Sequence, residues 1–214
     1  MITFSGVHIQ KIGGVAGTPT PADIAVHSGR ICRFGGAVWY TLLTHQIFVG
    51  MMAYHRSGSA ANLIAGLIHD AHEIATADVP RPFKCDCMRV EQKALDQRIF
   101  PAFLSPEMLA EVDHDLIKEC DQDACDIEAV ILGVPGFAEI EMAYTTSYRG
   151  RTSVFDGKHE TELLKSLLNS RFGHPSQVFG MDSQGVREYA IALQFAAAGR
   201  YDAVVNLVTN WIDA

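Results

Sequence analysis

The 214-residue sequence lacks most of the features that would assign it quickly. No stretch of 18 or more apolar residues occurs, so no membrane span is expected. The first residues, MITFSGVHIQK, have no basic start and no apolar h-region, so no secretory signal is expected either. Basic residues are scarce. Seventeen Lys and Arg face 25 Asp and Glu, a net charge of -8. That argues against a broad nucleic-acid footprint, which needs a basic face, and leaves room for a small nucleotide held by local cations or a metal. The five cysteines form no CxxC pair, and in a chain without a signal they read as reduced thiols and a cytoplasmic placement. No alternating strand pattern, internal repeat or low-complexity tract is present.

What is present is helical. Residues 1–35 are rich in Gly, Thr and Pro and read as an irregular N-terminal cap with a short strand-like start over 2–9. From Ala37 a period of 3.6 takes over, with Val38, Leu42, His45, Val49 and Met52 on one stripe of a helix over 37–56. Ser59 is an N-cap for a second helix over 60–77, closed by Val79-Pro80-Arg81-Pro82. A third is expected over 85–99. Ser105-Pro106-Glu107 opens a long helix reaching about Leu132. Shorter helices are expected over 160–169, 183–198 and 201–212, with Gly199 as a stop. These elements predict an all-α fold, one domain over 1–214, with helices around a single core.

One stretch combines burial with charge. In IAGLIHDAHEIATADVPRPFK, from Ile64 to Lys84, the residues His69, Asp70, His72 and Glu73 follow an apolar run directly. Polar groups buried without partners are costly, so this is either a solvated helix face or a place where something in a cleft satisfies them. A His-Asp pair on an apolar helix, with Glu73 one turn on, is better explained by a cation than by packing. His45, alone on an apolar stripe, is the natural third ligand. Asp121, Asp123 and Asp126 on the long helix all qualify as a fourth, and Glu128 follows Asp121 by two turns. Two imidazoles and two carboxylates suit Mn, Co, Fe, Zn or Mg. The second pair, His114-Asp115, lies among charged residues and reads as a solvated face. Cys85-Asp86-Cys87 reads as plain thiols, and Glu139 and Glu141 as solvated. His72 reads as packing or as reaching the site, and Arg33 and Arg81 as phosphate contacts or solvent charges.

His45, His69-Asp70 and Asp121 resemble the H…HD…D signature of the HD-domain phosphohydrolases. The run His69-Asp70-Ala71-His72-Glu73, continued by Asp78 to Lys84, is similar to their nucleotidohydrolase branch, which includes bacterial 5′-deoxynucleotidases and phage dATP triphosphohydrolases. Gly29-Arg30-Ile31-Cys32-Arg33-Phe34-Gly35-Gly36 resembles the same group, as does Asp121 followed by Glu128. The likeness covers about residues 20–132. It implies a divalent metal (Co, Mn, Zn or Mg) on His45, His69, Asp70 and Asp121. It implies catalytic roles for Glu73 and Asp78, and phosphate contacts from Arg30 and Lys84, with Arg33 a further candidate. Trp39 or Phe34 would stack on the base. His72 stands where the family often has a small residue, and Ile31 where it often has an aromatic. The expected activity is metal-dependent deoxynucleotide hydrolysis, dATP first, releasing deoxynucleoside and triphosphate. The alternatives are a 5′-deoxynucleotidase and a non-catalytic nucleotide sensor. The resemblance further implies a homo-oligomer and no nucleic-acid polymer or membrane as partner.

Overall fold

The computed structural model describes residues 3–7, 17–80, 83–134, 158–173, 178 and 183–211. The fold is all-α. Among the described residues there is no strand, only an isolated bridge between Cys32 and Thr41.

The N-terminal region departs from the expected irregular cap, because it contains a helix, α1 (Pro21–Ser28). Thr20 caps it. The Thr20 side chain accepts from the Asp23 amide, and Asp23 reaches back to the Thr20 amide, a capping box with Pro21 at the first helical position. That T-P-x-D signal lies inside a Gly/Thr/Pro-rich stretch and was masked by it. The strand-like reading of 2–9 falls partly outside the described residues. Within them, Thr3 to Val7 form a turn, with the Thr3 amide donating to the Val7 carbonyl.

The centre of the molecule is α2 (Leu42–Ser57), whose first twelve residues are all buried. It starts five residues later than the period suggested, because the Thr41 hydroxyl caps the Thr44 amide. α3 (Ala60–Ile68) packs across α2 with Gly50 and Gly66 at the crossing. A Cβ on Gly66 would stand 2.5 Å from the Gly50 Cα, so only glycine lets the two backbones come this close. This crossing brings the next turn of α2, with His45, near the residue that ends α3, His69.

The helix expected over 60–77 is interrupted. α3 stops at Ile68, residues 69–72 form turns, and α4 (Glu73–Thr76) is a single further turn. α5 (Asp86–Phe103) runs on through Pro101, beyond the expected end at 99. The long helix expected to start at Ser105 is two helices, α6 (Pro106–Glu111) and α7 (His114–Ile131), because the Asp113 side chain caps the Leu116 amide and opens a fresh helix. α8 (Lys158–Asn169), α9 (Gln184–Ala197) and α10 (Tyr201–Thr209) follow. α7 lies against α2, and α1 against α9. The shared core includes Phe48, Leu63, Leu67, Phe103, Leu164, Tyr189, Leu193 and Trp211.

The cysteines correct one expectation. Cys85 and Cys87 are joined, so not all five are free thiols. Cys85 is the extended N-cap of α5 and Cys87 lies in its first turn, which sets their Cα atoms 5.4 Å apart, inside the range a disulfide spans.

Candidate metal centre

Three elements converge on one point. His45 comes from the first turn of α2, His69 and Asp70 from the turn after α3, and Asp121 from the middle of α7. One ligand atom from each lies within 4.8 Å of the others, a grouping that could hold a divalent cation. His45 Nε2 is 3.3 Å from Asp121 Oδ1 and 3.8 Å from Asp70 Oδ2. His69 Nε2 is 3.2 Å from Asp70 Oδ2 and 3.8 Å from Asp121 Oδ1.

The far side of each imidazole is already tied. His69 Nδ1 lies 2.8 Å from the Gly66 carbonyl, which only accepts, so Nδ1 carries the hydrogen. His45 Nδ1 lies 2.7 Å from Glu128 Oε1 and donates to that carboxylate. Both rings therefore turn Nε2 inward. Both Nε2 atoms are buried with no hydrogen bond of normal geometry among the described residues. An imidazole fixed through Nδ1, with a lone pair on Nε2 aimed at two carboxylates, is how proteins hold a metal-ligating histidine. The donor set of two imidazoles and two carboxylates fits a divalent ion.

The imidazoles and carboxylates of the cluster act strongly on one another. Burial pushes the His69 imidazole down, but the carboxylates of Asp70 and Asp121 outweigh it and hold it well above its usual range. His45 is also raised; burial and the Arg33 guanidinium oppose the shift, while Glu128 and Asp121 drive it. Asp70 and Asp121 are lowered against the opposing effect of burial, by the two imidazoles they face.

Glu128 ties the surroundings together. It is fully buried and accepts from His45 and, at 2.8 Å, from the Tyr40 hydroxyl. Arg33 reaches the same carboxylate at 3.5 Å and Asp70 at 3.7 Å. Arg33 gets there because Phe34, Gly35 and Gly36 all take positive φ and fold the chain back, so that the Arg33 amide donates to the Tyr40 carbonyl. In the sequence Glu128 stands out as a same-face neighbour of Asp121 and as part of the HD-like pattern, with no role implied for it. Its seven-residue spacing held the signal, but the contact with His45 is tertiary.

Glu73 is 2 % exposed and stands at the rim of the cluster, its Oε1 3.0 Å from Lys84 Nζ. Oε2 is buried with no hydrogen-bond partner among the described residues. Burial, with Asp70 and Asp78 nearby, pushes this carboxyl up to about 7, against the opposing pull of Lys84. Asp78 lies close enough to act on both Glu73 and Arg33. His72 donates from Nδ1 to Asp96, 2.9 Å away, and its Nε2 is 4.0 Å from Asp70. Asp70, His72 and Glu73 form a second close group of ligand-type atoms that shares Asp70 with the first.

Other expected residues stand apart. Asp123 turns to Arg56 at 3.0 Å, and Arg56 also reaches Glu160, tying α2, α7 and α8 together. Asp126 is not in the cluster. Arg30 is exposed just past α1, and no contact of its side chain with the cluster is found. Trp39 is 53 % exposed in the loop before α2, and Phe34 lies beside Arg33 at 5.7 Å. Arg81, Glu139 and Glu141 lie outside the described residues. A cavity of about 700 Å³ opens from His69 and Asp121 between α5, α6 and α7, with Lys93, Asp96, Phe100, Leu109 and Lys118 among its walls; no sequence pattern pointed to it.

Among the described residues no helix is long and apolar enough to cross a membrane. Compared with known proteins, the chain matches no family model and no curated protein.

Proposed function

We propose that this chain is a metal-dependent deoxynucleotide phosphohydrolase of the HD type, acting on deoxynucleoside triphosphates, dATP first, in the cytoplasm and as a homo-oligomer. The observation that carries the reading is the pair of buried Nε2 atoms, on His45 and His69, turned toward Asp70 and Asp121 while both Nδ1 atoms are held elsewhere. A divalent ion held by those four residues would supply Lewis acidity to a phosphoryl group and to water.

The remaining work falls to this chain's own side chains. Water attacks the α-phosphorus, the bond to the sugar 5′-oxygen breaks, that oxygen takes up the proton Glu73 removed from the water, and the product pair is deoxynucleoside and triphosphate. Glu73 takes the proton of the attacking water on Oε2, the oxygen that Lys84 leaves open. Glu128 keeps His45 in one tautomer and position. Arg33 balances the negative charge of Glu128 and Asp70 at the inner wall.

A 5′-deoxynucleotidase is the second reading, and one observation favours it. Arg33 and Lys84, two of the cations expected to hold phosphate, already face the carboxylates of Glu128, Asp70 and Glu73. Less cationic charge is then left for a β,γ tail. A release screen over all deoxynucleoside mono- and triphosphates, with Mn, Co, Zn and Mg, tests the proposal. Tripolyphosphate from dATP supports it. Orthophosphate from dNMPs alone selects the second reading, and no turnover of any nucleotide overturns both. Light scattering that shows a single-chain mass would remove the oligomer.

A further inference from the structure

Resting on the nucleotide reading above, we propose that the cavity between α5, α6 and α7 seats a nucleoside polyphosphate lengthwise along α5, its base at the Phe100–Leu109 end and its β,γ tail on Lys93.

α5 supplies a ruler. Near its start, Gln92 donates to Thr76 at 3.0 Å, just past Glu73. One turn on, Asp96 holds His72, whose other nitrogen faces Asp70. One turn further, the Phe100 ring lies 6.3 Å from the His114 ring at the start of α7. The cluster therefore sits level with Asp96, Glu73 and Lys84 lie toward the N-terminal end of α5, and His114 lies toward its C-terminal end. Because Asp121 and His114 are seven residues apart on α7, His114 is about 10 Å from the cluster along that helix.

The two ends differ in chemistry. Around Phe100 the cavity is walled by Pro101 and Leu109, with the His114 ring beside it, and Ile117 and Lys118 lie between His114 and Asp121, one turn from the cluster. A planar, largely apolar group with a few ring nitrogens fits there, and a chain of phosphates does not, because burying charge against apolar walls is costly. In the other direction stands Lys93, on the same face of α5 as Asp96 and about 4.5 Å before it. Lys93 is exposed and makes no ion pair among the described residues. With the α-phosphorus at the cluster, the apolar end takes the base and the tail is left to Lys93. The charge that Arg33 and Lys84 spend on carboxylates is thus replaced from a residue outside the HD-like motif.

Binding, measured by calorimetry with Mn present, separates this arrangement from the catalytic reading. The ligands are deoxyadenosine, dAMP, dATP and inorganic tripolyphosphate. Lys93→Glu is exposed and should fold as the parent does. It is expected to weaken dATP and tripolyphosphate about tenfold or more while leaving deoxyadenosine and dAMP within about twofold. Leu109→Ala should weaken deoxyadenosine, dAMP and dATP alike and leave tripolyphosphate unchanged. If Lys118→Glu selectively weakens dATP and Lys93→Glu does not, the nucleotide lies the other way round and the proposal is overturned. Equal effects of Lys93→Glu on dAMP and dATP also overturn it. A protein that binds in the expected pattern but hydrolyses nothing keeps the binding proposal and loses the catalytic one. Turnover of dATP that is indifferent to Lys93→Glu does the reverse, and absence of all nucleotide binding removes both.

Discussion

His45 Nδ1 lies 2.7 Å from Glu128 Oε1, and the same carboxylate receives the Tyr40 hydroxyl and the Arg33 guanidinium. One buried acid therefore sets the tautomer of an imidazole whose other nitrogen faces Asp121. Glu128→Gln keeps the shape and removes the charge. Metal affinity should fall about 10- to 100-fold while the helical circular-dichroism signal persists. Titration with a metal-sensitive competitor dye reads this directly, and unchanged affinity would show that Glu128 is a packing residue only.

Asp121 and Asp123 are two residues apart on α7 and face different partners, the imidazoles and Arg56 respectively. Asp121→Ala should abolish stoichiometric metal binding and leave a folded protein. Asp123→Ala should retain the metal and lower the melting temperature, because Arg56 loses a hydrogen-bonded charge, at a cost of about 1–3 kcal/mol. The reverse pattern in metal analysis and thermal melts would place the metal on the other face of α7.

Glu73 holds Lys84 through one oxygen and leaves the other buried and unbonded. Glu73→Gln should preserve metal content and substrate KM and reduce kcat about 100-fold or more. Steady-state kinetics alongside metal analysis separates this from a loss of ligation. A variant of near-normal kcat would remove the proton-transfer role.

Gly66 meets Gly50 where α2 and α3 cross. Gly66→Ala adds a Cβ 2.5 Å from a backbone atom that no rotamer change can move. The helices must part, at a cost of about 1–3 kcal/mol or more, and the His45–His69 geometry shifts with them. Denaturant melts should show the loss of stability and metal titration a weaker site. A neutral result in both would mean the crossing can relax freely.

Asp23 governs an acid-sensitive part of the fold. Burial works to raise its pKa, but hydrogen bonds from the Ser5 amide and hydroxyl and from Thr20 win and lower it from 3.8 to about 2. A carboxyl with a depressed folded pKa stabilises above its unfolded value and loses that contribution as pH falls toward the folded one. Its share of stability is thus complete above about pH 4 and fades between 3.8 and about 2. Asp23→Asn should flatten the fall in melting temperature across that window, and an unchanged slope would assign the acid sensitivity elsewhere.

The helical class was readable because the 3.6-residue apolar period of α2 and α3, the Ser59 cap before α3 and the Ser105-Pro106-Glu107 start of α6 all announce helix, and no alternating strand pattern competes. α1 was not, because its Thr20–Asp23 capping box sits among glycines and prolines that read as loop. The break after Ile68 was also hidden. The apolar run continues through Ala71 and Ile74, whereas the backbone there turns with i to i+3 bonds, from the Ala71 amide to the Ile68 carbonyl and from the Glu73 amide to the Asp70 carbonyl, which no period announces. Of the site, His45, His69, Asp70 and Asp121 could be named from motif and spacing. Their orientation could not, since it depends on Glu128, eighty-three residues from His45 in the chain. The 700 Å³ cavity depends on how α5, α6 and α7 pack, which side-chain pattern alone does not state.

The most direct test of the central claim is one experiment. Hydrolysis of dATP is followed as the chelator-treated protein is titrated with Mn or Co, with bound metal measured in the same samples. The account predicts no turnover without metal, activity that rises in proportion to bound metal, and neither metal nor activity in His45→Ala, His69→Ala, Asp70→Ala or Asp121→Ala. Full turnover by metal-free protein, or by a variant lacking any of those four side chains, would contradict it.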